Sequence, residues 1–198
     1  MKAINRLLVA ATAAFTLTTT ASAGIGDVPS GEYQLEKTHA YLTFSYLHLG
    51  FSRPVVGFSD FDVSLNLNQD DVTASKLMVS INPASIDSGV EKFDDHLKSD
   101  DFFDIAAHSD ISFTATGIEM TGENTMTITG DLTMKGITKP ITLDATVNKA
   151  ANHPMRKTPT IGISASGKLM RSDWDLGRYA PNVGDEVTLN IQVELIKS

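Results

Sequence analysis

A strict alternation of apolar and polar residues runs through Phe61-Asp62-Val63-Ser64-Leu65-Asn66-Leu67. Successive side chains of a β-strand point to opposite faces, so this stretch is predicted to be a strand with one buried and one solvated face. Seven other segments repeat the pattern and are joined mostly by short turns: 33–48, 76–81, 110–116, 126–134, 141–147, 161–169 and 187–195. The chain is therefore predicted to be all-β, an eight-stranded antiparallel meander or barrel. A filled β-sandwich would show the same alternation and is the alternative.

One segment departs from this period and reads Ser88-Gly89-Val90-Glu91-Lys92-Phe93-Asp94-Asp95-His96-Leu97-Lys98-Ser99-Asp100-Asp101-Phe102-Phe103-Asp104. Val90, Phe93 and Leu97 are spaced so that they share one face of a helix. Ser88 and Glu91 have the spacing of a capping box, which indicates a helix start. We expect a short helix followed by a pair of phenylalanines, set as a plug into the β-structure.

The first 23 residues have the features of a secretory signal peptide. Lys2 and Arg6 are followed by an apolar run at 7–17, and Ala21-Ser22-Ala23 is a small-residue cleavage site. Cleavage after Ala23 would leave residues 24–198, which by length is one domain. The apolar run is too short for a membrane anchor, and no second run follows it, so the protein is not expected to be an integral membrane protein. We expect export to the periplasm, with secretion as the alternative.

Composition excludes several classes of site. The chain has no cysteine, which rules out thiol catalysis and cysteine-ligated metals. Its formal net charge of −8 argues against nucleic acid as a partner. None of the five histidines is spaced two or four residues from another, and the acidic residues of 94–104 lack the spacing of a calcium loop. No cofactor, metal site or catalytic group is predicted.

The length of the predicted strands suggests an elongated apolar ligand. A ten-residue strand is about 33 Å long, which makes the interior of an eight-stranded barrel deep and narrow. Such an interior suits the tail of an amphiphilic lipid. The residues predicted to line it are Phe44, Phe51, Phe58, Phe61, Leu97, Phe102, Phe103, Phe113, Leu132, Met134 and Trp174.

Polar residues near strand ends are candidates for contacting a ligand head group at the mouth of such a pocket. They are His39, His48, Arg53, Arg171 and Arg178. For His39 and His48 an equally weighted interpretation is that they are rim residues that cap backbone groups.

Seven motifs, spread in order from about Tyr33 to Glu194, resemble the signature of the YceI family. They are Thr38-His39, His48-Leu49-Gly50, Ile81-Asn82-Pro83, Asp94-Asp95-His96-Leu97-Lys98-Ser99-Asp100-Asp101-Phe102-Phe103-Asp104, Thr129-Gly130-Asp131-Leu132-Thr133-Met134-Lys135-Gly136-Ile137-Thr138-Lys139-Pro140, Arg171-Ser172-Asp173-Trp174 and Asn182-Val183-Gly184-Asp185-Glu186-Val187. The resemblance implies a lipocalin-like, extended eight-stranded antiparallel barrel with a helix closing one end. It also implies a periplasmic protein that binds a polyisoprenoid or similar amphiphile. Phe93 departs from the family pattern, in which many members carry arginine.

Three functional hypotheses follow. The first is periplasmic binding, transport or storage of an isoprenoid-type amphiphilic lipid, with a polyisoprenoid or fatty-acyl lipid bound in the barrel and homodimer formation left open. The second is an enzyme acting on a lipid-like substrate, with His39 or His48 as acid and base. The third is a structural or stress-response barrel with a packed interior. A continuous apolar cavity would separate the first from the third, and a histidine paired with a carboxylate inside it would favour the second.

Overall fold

The computed structural model describes residues 25–198, so the predicted signal peptide at residues 1–23 lies outside the described residues. The strands are β1 (Gly31–Leu35), β2 (Tyr41–His48), β3 (Val55–Phe58), β4 (Phe61–Leu67), β5 (Lys76–Ile81), β6 (Ile86–Asp87), β7 (Ile111–Met120), β8 (Thr125–Met134), β9 (Ile137–Asn152), β10 (Pro159–Met170) and β11 (Val183–Lys197). One α-helix in this part of the chain, α1, spans Glu91–Lys98. Between residues 25 and 198 no helix has the length and apolar character needed to cross a membrane.

Eight of the strands form a closed antiparallel barrel. The ring runs β1-β4-β5-β7-β8-β9-β10-β11 and returns to β1, where Tyr33 pairs with Lys197 and Leu35 with Leu195. This confirms the predicted eight-stranded barrel. It replaces the sandwich alternative, because a closed ring of hydrogen-bonded strands has no free edges.

The predicted strand 33–48 is broken into β1 and β2, and similar breaks at the same level of the barrel separate β3 from β4 and β5 from β6. The strands β3 and β6 lie outside the predicted segments 61–67 and 76–81. Asn82 caps the 3₁₀ turn Pro83–Ser85 between β5 and β6, and its backbone N–H donates to the carbonyl of Asp60 between β3 and β4 (3.0 Å). The breaks are thereby joined at one corner of the wall. Beyond this corner β2, β3 and β6 continue as a smaller sheet along β11.

The predicted helix is confirmed, but its predicted cap is wrong. The residue at the N-cap is Val90, whose side chain makes no capping hydrogen bond. Ser88 instead donates through its backbone N–H (2.8 Å) and its hydroxyl (2.5 Å) to the carboxylate of Asp94, so Glu91 does not complete a capping box. These bonds tie the first turn of α1 to the segment that leads out of β6.

The half of the barrel beside the β1–β11 closure is filled with side chains. Its fully buried residues include Tyr33, Leu67, Val147, Ile161 and Leu195. Tyr33 also donates its hydroxyl to the carbonyl of Pro29 (2.7 Å), which ties down the chain before β1. This half supplies a conventional apolar core, and the other half, covered by α1, is not filled.

Gly130 on β8 permits a close approach inside the barrel. It pairs with Ala115 on β7 and Ile141 on β9. A Cβ atom at this position would overlap the ring of Phe113 and the carbonyl oxygen of Thr114. The ring of Phe113 therefore lies across the glycine, and it is one of the groups that separate the filled half from the unfilled half.

We expect Gly130→Ala to destabilise the barrel by about 1–3 kcal/mol, because the added methyl group must displace the Phe113 ring or the backbone of Thr114. The measurement is the free energy of unfolding in urea. Gly117→Ala is the matched control, since a Cβ atom at Gly117 on β7 would have no neighbour within 4 Å. Equal stability of the two variants would contradict this account of Gly130.

Glu36, between β1 and β2, is only 7% exposed and lies within a polar network. Its carboxylate accepts the hydroxyl of Thr38 (2.8 and 2.7 Å), Nδ1 of His39 (2.7 Å) and Nη2 of Arg156 (3.2 Å). These hydrogen bonds, that of Thr38 first, lower the pKa of Glu36 from 4.5 to about 2. The network joins the first strand break to the loop between β9 and β10.

The depressed pKa predicts a stabilising contribution that depends on pH. It is fully present above pH 4.5 and is lost as the pH falls through about 2, since protonation removes the charge-assisted bonds. We expect Glu36→Gln to destabilise the protein by about 2 kcal/mol above pH 4.5. The difference from wild type should shrink towards pH 2. Urea unfolding across this range, with Glu123→Gln in an exposed turn as control, measures it; a difference that stays constant would contradict it.

Candidate functional site

The unfilled half of the barrel contains a cavity of about 630 Å³. Its wall is formed by β2, β3, β5 and β7–β11, and α1 with the loop after it covers it. Most of the lining side chains are aliphatic or aromatic. Lining residues that the structure exposes to solvent are His48, Val55, Val90 and Tyr179, so the cavity opens beside α1.

The side chains of β2 that line the cavity become more polar towards its mouth, and we call this the polarity gradient. Leu42, Phe44, Tyr46 and His48 fall on one face of the strand and all line the cavity, in that order towards the mouth. At about 3.3 Å per residue these positions span about 20 Å. The facing row on β11 is aliphatic throughout, because Val187 pairs with Tyr46, Leu189 with Phe44 and Ile191 with Leu42.

Arg171 places a buried positive charge at the polar end of this gradient. Its side chain is 7% exposed and lines the cavity. The guanidinium donates from Nε to Gly184 O (2.9 Å), from Nη2 to Val183 O (2.9 Å) and from Nη1 to Leu176 O. Burial lowers its pKa, the charge of Asp185 partly offsets that fall, and an arginine remains charged at neutral pH. Within residues 25–198 no carboxylate makes an ion pair with it.

Tyr46 and His48 lie beside this charge. Burial raises the pKa of the Tyr46 hydroxyl, and the charge of Arg171 partly offsets that rise. His48 pairs with Val183, the residue whose carbonyl accepts from Arg171. The polar end of the cavity therefore combines a cation, a neutral phenol and an imidazole.

A group of five residues, the mouth clasp, joins the segment after α1 to the loop before β11. Asp101 forms an ion pair with Arg178 and contacts Nε2 of His96 at 3.3 Å. Phe102 lies edge-on to the His96 ring with centroids 5.0 Å apart, and the Tyr179 ring lies 6.3 Å from each. These contacts hold the cover of the cavity in place.

Eight of the predicted lining residues do lie in the cavity wall: Phe44, Phe58, Leu97, Phe102, Phe103, Phe113, Leu132 and Met134. Phe103 packs edge-on against Phe58 with centroids 5.7 Å apart, which anchors the phenylalanine pair after α1 to the barrel.

Three predicted lining residues are placed elsewhere. Phe51 is 90% exposed because it sits at the tip of the turn between β2 and β3. Phe61 starts β4 just beyond the strand break and is buried in the packed core outside the cavity wall. Trp174 is 1% exposed and donates its indole N–H to the carbonyl of Leu132 (3.1 Å), so it packs behind the wall.

Most of the aliphatic residues that line the cavity were not predicted, including Leu42, Leu143, Leu189 and Ile191. The alternating pattern places each of these on an inward face, so a signal was present. The predicted lining favoured aromatic and methionine side chains and left these aliphatic residues out.

The five predicted head-group residues do not converge. His48 and Arg171 line the cavity, whereas Arg178 belongs to the mouth clasp. Arg53 is exposed on the turn between β2 and β3. His39 binds Glu36 at the first strand break, away from the cavity, so neither a mouth position nor capping of a backbone group describes it.

The carboxylates of the described residues lie outside the lining of the cavity. No aspartate or glutamate is among the described residues that line the cavity. Oxygen and nitrogen atoms of Glu36, His39 and Glu194 lie within 4.8 Å of one another, a spacing that could hold an ion. Both oxygens of Glu36 already accept hydrogen bonds from Thr38, His39 and Arg156, so the group is satisfied as an ion-pair network.

Comparison with known proteins gives consistent matches over most of the chain. The model of the YceI-like domain family matches residues 33–195. Protein YceI of Escherichia coli O157:H7 is 33% identical over 171 residues, covering 85% of this chain and 88% of that protein. The crystal structure of the YCEI protein of Campylobacter jejuni superposes with a TM-score of 0.70 at 31% identity, covering 76% of this chain and 89% of that one.

A more distant structure has the same fold. A domain from Saccharophagus degradans, described as polyisoprenoid binding, superposes with a TM-score of 0.63 at 15% identity, covering 86% of this chain and all of that one. From the extent of the family match and the identity to its members, this chain belongs to the YceI family.

Proposed function

We propose that this protein binds one amphiphilic lipid, with an isoprenoid or acyl tail inside the cavity and the head group at the polar end. The observation that carries the proposal is the gradient from Leu42 to His48 along one face of β2, in a cavity of about 630 Å³. That volume lies within the range typical of small-molecule sites. The polyisoprenoid-binding description of the Saccharophagus degradans domain supports the same class of tail.

Burial of the tail accounts for affinity without specific contacts. Each buried methylene group contributes about 0.8 kcal/mol, so a tail of about ten such groups contributes about 8 kcal/mol. This corresponds to a dissociation constant in roughly the micromolar range before the costs of association are subtracted. Longer tails would bind more tightly until the Phe113 end of the cavity stops them.

Arg171 directs the preference for a head group. A guanidinium has five N–H donors, and backbone carbonyls occupy three of them here, which leaves two. An oxygen-bearing or anionic head group would accept these donors and offset the buried charge. The nearby Tyr46 and His48 add further polar atoms at the same end.

Binding, rather than catalysis, is the activity we propose, together with export and a carrier or storage role in the periplasm. His48 is the predicted acid or base that reaches the cavity, and among the described lining residues no carboxylate is placed to orient it. His96 also lines the cavity, but its partner Asp101 lies outside the lining and is already paired with Arg178 in the mouth clasp. A protein that shields a lipid tail from water suits an aqueous compartment between membranes. The acidic net charge fits a lipid rather than a nucleic acid as the partner.

Filling the cavity should abolish lipid binding. Leu189→Trp on β11 places an indole in the middle of the cavity, and we expect the lipid recovered with the purified protein to fall at least tenfold. The neighbouring Asn190→Trp, whose side chain faces solvent, is the matched control. Native mass spectrometry and extraction of protein isolated from its own host measure both. Equal lipid content in the two variants, or none in the wild type, would overturn the proposal.

The mouth clasp should control the rate of release. Removing the ion pair with Arg178→Ala weakens the closed state slightly, because the pair is partly exposed, so release of a fluorescent fatty acid should be about two- to fivefold faster. Lys168→Ala removes the exposed pair between Lys168 and Glu186 on the outside of the barrel and is the control. Unchanged release from the Arg178 variant in stopped-flow measurements would contradict a gating role.

A further inference from the structure

The turn between β2 and β3 presents apolar side chains to solvent beside the mouth of the cavity. Phe51 is 90% exposed, and Leu47, Leu49 and Val55 are exposed around it. With Val90 on the edge of the cavity cover, they form a patch that we call the hairpin tip (Leu47, Leu49, Phe51, Val55 and Val90). Val55 and Val90 also line the cavity, so the patch is continuous with the mouth.

The backbone holds the tip in this arrangement. The N–H of His48 donates to the carbonyl of Ser52 (2.8 Å), and the N–H of Phe51 donates to the carbonyl of His48 (2.9 Å). Leu49 adopts a left-handed conformation with φ of 52°, which non-glycine residues rarely occupy. The chain thus accepts an unfavourable backbone conformation in a turn that points a phenylalanine into water.

The tip also differs in charge from the rest of the molecule. The chain has 24 acidic residues, yet the stretch 37–59 contains none, and Arg53 lies in the turn itself. A region without negative charge can approach an anionic surface that the rest of the protein would avoid. The acidic residues of α1 begin at Glu91, next to Val90, so Leu49 and Phe51 rather than Val90 would have to lead the approach.

We propose that the hairpin tip docks on a lipid bilayer, with Phe51 and Leu49 inserted between head groups, so that a lipid tail passes between membrane and cavity without crossing water. The inference rests on the proposed lipid-binding function and adds the membrane as the partner at the mouth. Apolar side chains on a polar scaffold bind the interfacial region of bilayers in this manner, weakly and reversibly when they are few.

A bilayer fits the tip better than a second copy of the chain. A stable protein interface buries about 800 Å² per partner, which a flat surface provides and a narrow projecting turn does not. The contact with the mouth also matters only for a partner that supplies or accepts lipid.

The test uses the protein without residues 1–23 and flotation with vesicles of phosphatidylethanolamine and phosphatidylglycerol. We expect Phe51→Ser to weaken vesicle binding at least tenfold and to slow loading of lipid from vesicles to a similar extent. Its affinity for a soluble fluorescent fatty acid should equal that of wild type. Met155→Ser is the matched control, because Met155 is 83% exposed in the loop between β9 and β10, away from the mouth.

Two outcomes would overturn the proposal. One is vesicle binding by Phe51→Ser equal to wild type, and the other is a wild-type dimer, seen by analytical ultracentrifugation, that Phe51→Ser dissociates. Vesicle binding that depends on Phe51, in a protein whose cavity takes up no fatty acid, would support the docking surface while overturning the proposed function. The two ideas can thus fail separately.

Discussion

The double pairing of β11 is the constraint on which the rest of the structure depends. One edge of β11 follows β10 along its length, while the other pairs with β2 from Val183 to Gln192 and with β1 from Leu195 to Lys197. The last strand therefore closes the ring at one end and supports the smaller sheet of β2, β3 and β6 at the other. The wall bends at the strand breaks, which lie between the two ends of β11. The barrel therefore has a filled half on one side of the breaks and an unfilled half on the other.

The filled half stabilises the barrel, and the unfilled half holds the cavity. Protein interiors are normally packed as densely as organic crystals, so a large apolar void sacrifices dispersion contacts over its whole surface. The cavity here, about 630 Å³, is several times larger than the engineered core cavity of about 150 Å³ that already binds small apolar molecules. The protein can tolerate this void because the filled half provides a separate core around Tyr33 and Leu195. A ligand tail would restore the contacts that the void lacks.

The two buried charged side chains, Glu36 and Arg171, lie in different parts of the barrel and have different partners. Glu36 is buried at the break between β1 and β2, where hydroxyl, imidazole and guanidinium groups satisfy it. Arg171 is buried at the other end, where backbone carbonyls satisfy it only in part and no carboxylate pairs with it in the described chain. The first arrangement stabilises the fold, and the second keeps a charge available at the end of the cavity.

Alternation of apolar and polar residues was sufficient to predict the strands and their inward faces, because a period of two determines which side chains point inwards. It fitted a sandwich equally well, and the resemblance to the YceI family favoured the barrel. It could not predict how far along the axis each inward residue lies, since that depends on strand breaks and register. This is why Phe61 and Phe44, on equally clear strands, have different roles. Phe51 lies between the predicted strands 33–48 and 61–67, so alternation gave it no inward position, and the turn at Leu49 and Gly50 carries it outside the barrel. Ser88 has the right spacing for a cap, but its backbone N–H and its hydroxyl both donate to the carboxylate of Asp94, so the helix starts without a capping box.

The most direct measurement is a crystal structure of the protein isolated from its own host without added lipid. We expect one elongated ligand in the cavity, with its polar end beside Arg171 and His48 and its tail ending near Phe113 and Ile191. A cavity occupied by ordered water, or closed by inward movement of its lining side chains, would contradict it.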